Sequence, residues 1–315
     1  MKILFIIDKL EFKYFEFNEL VTDFWWIKEF LERGHEVYVS KMNDLSLKKD
    51  KPFANIYKSF VKENDIFHED RAGNTELDNF DVIMFRADPP VDTDYINATY
   101  ILDFVKRAKV INKPTSVRGF NEKLHAVLFS DLMPEYLVSA NRNALETFLD
   151  KHGEIILKPM NKCFGAGVMY LKKGDFNTRS IINLVTNEET TLIMAQKYIP
   201  QAKDGDKRVL MVNGKVLPYG ARKTSTKDDF KFNTHDDNFV KGEKLSIEEI
   251  ELFTPVAQRL KTMGLYLAGL DVIDNKIIEV NITSPCYFIK EINKAFNIGF
   301  EKTIVDELIN LINEL

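Results

Sequence analysis

The sequence predicts a mixed fold, with an open parallel α/β portion in about the first 115 residues and an α+β portion after it. Residues 2–8 form a short, continuous apolar run, as in a strand buried on both faces. Residues 21–33 show the apolar spacing of a helix that ends at Gly34, and residues 35–39 have the pattern of a second strand. These three elements form a β-α-β unit. Later in the chain the predicted strands follow one another in hairpin order, which is typical of α+β proteins.

The rest of the first portion continues the alternation of strands and helices. Residues 81–86 and 109–112 have the composition of buried strands, and residues 93–108 have helical spacing. In an open α/β sheet, ligands gather at the carboxyl ends of the strands. The Arg-Ala-Asp-Pro-Pro segment at residues 86–90 lies at such an end, although its composition alone indicates no more than a capped loop.

The second portion carries more strands than helices. Its polar stretch at residues 223–243 is longer than an ordinary connection, which predicts either a functional loop or a mobile one. Helices are predicted over residues 121–129, 143–152 and 246–263. Strands are predicted over residues 154–159, 168–171, 192–198, 207–212, 215–222, 266–273 and 277–282.

Composition excludes several classes of protein. The 43 basic and 48 acidic residues are spread along the chain and give a net charge of −5, so we expect no nucleic-acid partner. No apolar run approaches the roughly 20 residues that cross a bilayer, and the apolar start lacks a cleavage site. We therefore expect no membrane association and a cytoplasmic location. Cys163 and Cys286 are too few for a disulfide framework, and their neighbours supply no metal-ligand spacing.

Two acids and an amide stand on a predicted hairpin near the C-terminus. Glu279 and Asn281 are two residues apart on one strand and therefore share a face. A three-residue loop at 274–276 would place Asp271 opposite Glu279 on that face, whereas a two-residue loop would place them on opposite faces. Oxygen ligands of this kind suit Mg²⁺. A solvent-facing pair of acids explains the same pattern, so both interpretations stay open on the hairpin alone.

Several basic residues lie at the ends of predicted elements. Lys158 ends an apolar strand and Lys123 lies early in a predicted helix, so each is either an exposed lysine or a point charge for nucleotide phosphates. Arg208 follows a turn at the start of a strand, where generically it is part of a hairpin entrance.

Eight short segments occur in the order and spacing of one known family. They are RADPPVD at 86–92, NATYIL at 97–102, NKP at 112–114, NEKL at 121–124, FSDL at 129–132, ILKP at 156–159, KDGDKRVL at 203–210 and EVNITSP at 279–285. Together they resemble the bacterial glutathione synthetases, a family of ATP-grasp ligases. The resemblance covers most of the chain.

The resemblance implies roles for individual residues. It implies Asp271, Glu279 and Asn281 as metal ligands, and Arg208 and Lys158 as catalytic residues beside an acyl phosphate. It implies Lys123 and Lys158 as ligands of the ATP phosphates, and Gln196, Lys197, Tyr198 and Ile199 as a hinge strand that meets adenine. Asp206 is implied as a further nucleotide ligand. The residues implied at the substrate are Arg86, Asp88, Arg222 and Lys290.

The resemblance also implies an ATP-grasp fold preceded by an open parallel α/β domain. The implied domains are residues 1–120 for substrate and oligomerisation, 121–200 for an ATP-grasp lid, and 201–315 for the catalytic subdomain. The implied cofactors are ATP and Mg²⁺ (or Mn²⁺), the implied substrates are γ-glutamylcysteine and glycine, and a homo-oligomer is expected. ATP would phosphorylate a carboxylate, and an amine would then attack the acyl phosphate, which needs charge neutralisation rather than a nucleophilic side chain.

Three loops depart from the family pattern. Residues 161–167 hold fewer glycines, residues 223–243 lack a Gly-rich segment, and residues 284–292 are one residue longer. These differences leave two other hypotheses open, a ligase for a different carboxylate and amine, and a nucleotide-binding protein without catalytic activity.

Overall fold

The computed structural model describes residues 1–8, 19–63, 65–69, 73–224 and 240–315. Within these parts, successive stretches of the chain form separate sheets, with helices packed against them. No helix among them is long and apolar enough to cross a bilayer.

The first sheet has a parallel centre and an antiparallel extension. Its strands are β1 (Lys2–Ile7), β2 (Glu36–Lys41), β3 (Leu45–Lys48), β4 (Lys51–Lys62), β5 (Asp65–His68), β6 (Gly73–Glu76), β7 (Val82–Phe85) and β8 (Lys109–Ile111). The order is β3-β4-β2-β1-β7-β8, and β5 and β6 also pair with β4. β1 runs parallel to β2 and β7, and β7 runs parallel to β8, as predicted.

The antiparallel strands β3 to β6 were not predicted. They lie in a polar stretch where β4 buries Ala54 and Ile56 on one face, whereas Phe53, Asn55 and Tyr57 on the other face are half-buried. Polar residues interrupt the apolar ones in such strands, so a search for continuous apolar runs misses them. The sheet is therefore mixed rather than purely parallel.

The helices of this part are α1 (Thr22–Glu32), α2 (Thr93–Leu102) and α3 (Pro114–Arg118). The predicted helix over 93–108 is six residues too long. The backbone N–H groups of Lys106, Arg107 and Ala108 donate to Oδ1 of Asp78 at 2.9, 2.6 and 3.2 Å. That carboxylate gives these N–H groups partners outside a helix, and the chain turns toward β8 instead.

The second sheet is antiparallel, with the order β11-β10-β12-β9. Its strands are β9 (Tyr136–Ser139), β10 (Glu154–Pro159), β11 (Met169–Lys172) and β12 (Ile193–Lys197), and its helices are α4 (Arg142–His152) and α5 (Thr178–Val185). Leu145 and Leu149 of α4 pack with Leu157 and Ile182 in its core. The helix predicted over 121–129 is instead a 3₁₀ helix at His125–Leu132, interrupted at Phe129.

The third sheet has the order β16-β15-β13-β17-β18, with β14 paired to β13. Its strands are β13 (Asp206–Val212), β14 (Lys215–Val216), β15 (Tyr219–Lys223), β16 (Val240–Lys244), β17 (Leu267–Ile273) and β18 (Lys276–Asn281). Leu217 and Pro218 divide the strand that was predicted over 215–222. β16 occupies the end of the stretch predicted as a loop, and residues 225–239 of that stretch lie outside the described residues.

Three helices complete the described C-terminal part. They are α6 (Ile247–Thr262), α7 (Ile289–Phe296) and α8 (Phe300–Glu314), of which only α6 was predicted. A capping box of Ser246 and Glu249 opens α6. Arg33, which directly follows α1, pairs with Asp306 of α8 at 2.6 Å, so the last helix packs on the first. The division into domains at residues 120 and 200 stays a prediction.

Candidate active site

The hairpin of β17 and β18 brings the predicted metal ligands together. Asp271 pairs directly with Glu279, and Gly269 with Asn281. The pairing expected for a three-residue loop is thus present, although the loop has two residues. The turn contains two residues, Asp274 and Asn275, and a bulge next to Asp271 supplies the extra residue that restores the register.

One face of the third sheet carries the charged residues, and we call it the site face. Residues that are paired across strands, or two apart along a strand, share a face. In the strand register, Asp271 lies opposite Arg208 of β13, and Lys223 of β15 lies opposite Asp206, which is two residues before Arg208. Four charges from three neighbouring strands therefore meet on this face.

Asp271 is the centre of this cluster. Its carboxylate accepts hydrogen bonds from Arg208 at 2.7 and 3.3 Å, from Lys223 Nζ at 3.1 Å and from Asn281 Nδ2 at 3.3 Å. Burial alone would raise its pKa, but Arg208 and Lys223 outweigh burial and hold the pKa well below its usual value. Asp271 is therefore a carboxylate at every physiological pH.

Gly269 makes room for the guanidinium of Arg208. A Cβ atom added to Gly269 would lie 2.8 Å from Cδ of Arg208, which is too close for a real contact. The absence of a side chain at Gly269 thus leaves room for the side chain of Arg208, which reaches Asp271. The position of Arg208 therefore depends on the glycine.

Lys223 is the site residue that the sequence analysis missed. Its ammonium bridges Asp206 Oδ2 at 2.8 Å and Asp271 Oδ1 at 3.1 Å, and it is 4% exposed. Burial raises the pKa of Asp206 to about 6 despite this lysine. Strand alternation would have found Lys223, because it lies on the face of Asp206 and the predicted Arg222 does not.

Arg222 points to the opposite side. Its guanidinium forms two hydrogen bonds with Glu243 of β16, at 2.8 and 3.0 Å. The other predicted substrate residue of this region, Lys290, pairs with Glu19 at 3.0 Å. Neither contact includes a member of the site face, and their substrate roles stay predictions.

Two further lysines approach the hairpin from the second sheet and its preceding segment. Lys123 Nζ lies 2.8 Å from Glu279 Oε1 and donates to the carbonyl of Lys162 at 2.6 Å. Lys158, at the end of β10, donates to the carbonyl of Ile278 at 3.0 Å. Burial lowers the pKa of Lys158 to about 8, so this ammonium favours a new anionic partner.

The predicted hinge lies at the end of β12. Gln196 is 2% exposed, and its Nε2 has no partner among the described residues. The N–H groups of Lys197 and Tyr198 donate to the carbonyls of Glu135 and Glu154 at 2.8 and 3.1 Å. Ile199 follows as a half-buried residue. The amide of Gln196 is thus available to a ligand, and the adenine contact of these four residues stays a prediction.

Arg86 and Asp88 lie where the first sheet meets the segment after β18. Arg86 is 1% exposed, pairs with Asp23 at 2.9 Å and donates to the carbonyl of Pro285 at 3.1 Å. These contacts favour a role in holding the Pro285 segment rather than in touching a ligand. Asp88 is half-buried, accepts a hydrogen bond from Ser284, and burial raises its pKa to about 6.

The donor set fits a divalent metal of the Mg²⁺ class. Within the described residues, no three His, Cys, Asp or Glu side chains form a metal cluster. The hairpin instead opposes the carboxylates of Asp271 and Glu279 next to the amide of Asn281, and Asp206 Oδ1 has no partner in the described chain. A hard cation that also binds phosphate oxygens needs only one or two protein carboxylates. The hairpin supplies two carboxylates and an amide oxygen.

Comparison with known proteins decides the family. Residues 1–118 match the N-terminal domain of prokaryotic glutathione synthetase, and residues 122–297 match the ATP-grasp domain of the same family. The chain belongs to the prokaryotic glutathione synthetase family. Relatives named glutathione synthetase are 35% identical in Vibrio parahaemolyticus and 36% identical in Escherichia coli (strain K12). Each comparison spans 291 residues and covers 91% of this chain and 92% of the relative.

Solved structures show the same fold at low sequence identity. D-cycloserine synthetase DcsG has a TM-score of 0.67 at 11% identity, and the comparison covers 98% of this chain and 99% of the other. The ATP-grasp ligase PsnB has a TM-score of 0.62 at 15% identity, with 99% and 98% covered. The fold is thus the ATP-grasp fold, and membership of the family makes the chain an ATP-dependent ligase that acts on small molecules.

Proposed function

We propose that this ligase joins γ-glutamylcysteine to glycine and forms glutathione, ADP and phosphate, with Mg²⁺ (or Mn²⁺) as its metal. The observation that carries the proposal is the charge pattern of the site. Lys123, Arg208 and Lys223 pair with the carboxylates of the hairpin, and Lys158 donates to the hairpin carbonyl of Ile278. The named relatives support the substrate pair. The cytoplasmic location and the homo-oligomer stay predictions.

The cationic side chains supply what phosphoryl transfer requires. A carboxylate oxygen of the first substrate attacks the γ-phosphorus and ADP leaves. The amine then attacks the acyl carbon, loses a proton, and phosphate departs. Negative charge accumulates on phosphoryl oxygens in the first step and on the carbonyl oxygen in the second. Arg208 and Lys223, which are fixed in advance by Asp271, would stabilise these charges without reorganisation.

The metal would be held by Asp271, Glu279 and Asn281. When bound, a divalent ion of this kind neutralises and orients the phosphate oxygens of the nucleotide. Lys123 pairs with Glu279, so this lysine lies beside the proposed metal ligands, where it would neutralise a phosphate.

Measuring ADP release with different substrate pairs tests the proposal. We expect turnover with γ-glutamylcysteine plus glycine, and little with either omitted or replaced by other small acids and amines. Lys158→Gln should lose this turnover. Lys172→Gln, which changes a largely exposed lysine on the neighbouring strand, should keep it. Turnover with only a different pair would overturn the substrate assignment, and ATP binding without turnover of any pair would favour a non-catalytic protein.

A further inference from the structure

β18 is the end strand of the third sheet in the described chain, and one residue covers part of its outer edge. N–H groups on that edge need partners other than a neighbouring strand. Val280 donates its N–H to the backbone carbonyl of Glu122 at 3.0 Å. Ile282 donates its N–H to Oε1 of the same glutamate at 2.7 Å. Glu122 thus caps two successive outward N–H groups of the strand, once with its main chain and once with its side chain.

The carboxylate of Glu122 also holds the residue that follows β18. Thr283 donates to Oε1 from its N–H at 3.1 Å and from its hydroxyl at 3.0 Å. Three donors therefore converge on one carboxylate oxygen. Burial and the nearby charge of Glu279 raise the pKa of Glu122 above its usual value, and these three donors offset only part of the rise. Glu122 is therefore a buried carboxylate that accepts three hydrogen bonds, and not a solvent-exposed surface acid.

The same short segment contacts the site face. Lys123 follows Glu122 directly and pairs with Glu279 at 2.8 Å. Glu279 and Asn281 alternate along β18 with Val280 and Ile282, whose N–H groups Glu122 binds. The spacing between Lys123 and the two predicted metal ligands is therefore set by the contacts of Glu122 with the strand edge.

We propose that Glu122 is a positioning residue, which fixes Glu279 and Asn281 relative to Lys123 so that a metal and nucleotide phosphates can bind together. The inference rests on the proposed metal site. Outer groups that orient metal ligands typically contribute 10- to 100-fold to metal affinity. Glu122 differs from such groups in acting through the backbone of the strand and not through the ligand side chains.

Binding of Mn²⁺ in the presence of ADP tests this role apart from catalysis. Free Mn²⁺ is measured by electron paramagnetic resonance during titration of the protein, and the Mg²⁺ dependence of ADP release is measured alongside. Glu122→Ala should weaken Mn²⁺·ADP binding about tenfold. Glu122→Asp keeps the charge but shortens the side chain, so it should weaken binding as well. Glu122→Gln keeps an acceptor oxygen at full length and should stay within about threefold of the wild type.

Glu307→Ala is the matched control, because it removes a glutamate of α8 that pairs only with Lys215 among the described residues, outside the site. It should leave Mn²⁺·ADP binding unchanged. Thermal unfolding of each variant identifies any that fail to fold, and Glu122→Asp then carries the test. Wild-type affinity in a folded Glu122→Ala or Glu122→Asp variant would overturn the inference. Absence of Mn²⁺·ADP binding in the wild type would instead overturn the proposed metal site.

Discussion

Arg222 and Lys223 are neighbours on β15, but their side chains face opposite sides of the third sheet. The resemblance implies a substrate role for Arg222, which stays a prediction, whereas the structure shows that Lys223 contacts both Asp206 and Asp271. A shift of one residue along a strand exchanges its faces, so these two neighbours lie in different surroundings.

This difference predicts opposite results for two adjacent substitutions. Lys223→Met should lower kcat by about 10²- to 10³-fold, because it removes a fixed positive charge from the reacting phosphoryl group. Arg222→Met, which among the described residues breaks the ion pair with Glu243, should change kcat less than about threefold. Steady-state ADP release checks both. A larger loss for Arg222→Met than for Lys223→Met would reverse our assignment, and Lys223→Arg should recover part of the activity.

Asp88 offers a prediction on stability at the residue scale. Burial raises its folded-state pKa to about 6, compared with 3.8 for an ordinary aspartate. Between these values the folded protein holds a proton that the unfolded chain has lost, so this group lowers the stability as pH rises through the window. Asp88→Asn should therefore raise the free energy of unfolding by about 1–2 kcal/mol at pH 7.5, and by almost nothing at pH 4.

Urea unfolding at the two pH values measures this effect. Asp150→Asn, at an exposed surface ion pair with Lys173, is the control and should stay within about 0.5 kcal/mol of the wild type at both. A destabilised Asp88→Asn at pH 7.5 would show that the attraction of Arg86 outweighs burial. If Asp88 also binds substrate, the same variant should be more stable and less active.

At the scale of elements, the turn of the β17–β18 hairpin places two non-glycine residues in an unfavourable backbone conformation. Asp274 and Asn275 have φ values of 49° and 58°, the left-handed region that a two-residue hairpin turn requires. Asn adopts this region more readily than other non-glycine residues. Asn275→Ala should lower the free energy of unfolding by about 1 kcal/mol, and Asn275→Gly should lower it less or raise it.

Thermal and urea unfolding of the two variants decide this. Asn213→Ala is a comparison at another left-handed position, φ 53°, in the turn between β13 and β14. Equal stability of the Ala and Gly variants at position 275 would show that the turn is not strained. Because the bulge, and not the loop length, aligns Asp271 with Glu279, both variants should keep the Mg²⁺ dependence of the wild type.

The sequence predicted the elements whose residues are buried on both sides, such as β1, β7 and β17, because continuous apolar runs mark them. It did not predict β4 or β16, which are half-exposed, nor the bulge in β18, which depends on pairing. Likewise it grouped Asp271, Glu279 and Asn281, since they lie within one hairpin, but only the resemblance implied that they are metal ligands. It missed Glu122 as a partner of Ile282, because a contact across 160 positions leaves no local pattern.

At the scale of the molecule, a buried arginine that forms an ion pair with Asp23 joins the first sheet to the C-terminal part. Arg86 follows β7, Asp23 lies in α1, and the arginine also donates to Pro285 beyond β18. The guanidinium lies over the ring of Trp26 at 4.9 Å. α8 packs on α1 from the other side through Asp306 and Arg33. The two ends of the chain therefore support the segment that borders the site.

Breaking this pair should destabilise the whole protein. Arg86→Met leaves the carboxylate of Asp23 buried without its cation and should lower the free energy of unfolding by about 3–5 kcal/mol. Removing both charges with Asp23→Ala and Arg86→Met should cost less than the sum of the single changes, because no unpaired charge remains.

Lys106→Met, in an exposed ion pair with Asp50, is the control and should cost under about 1 kcal/mol. A double-mutant cycle by urea unfolding measures the coupling. Additive losses would show that the pair is not coupled, and a small loss for Arg86→Met alone would show that water reaches Asp23.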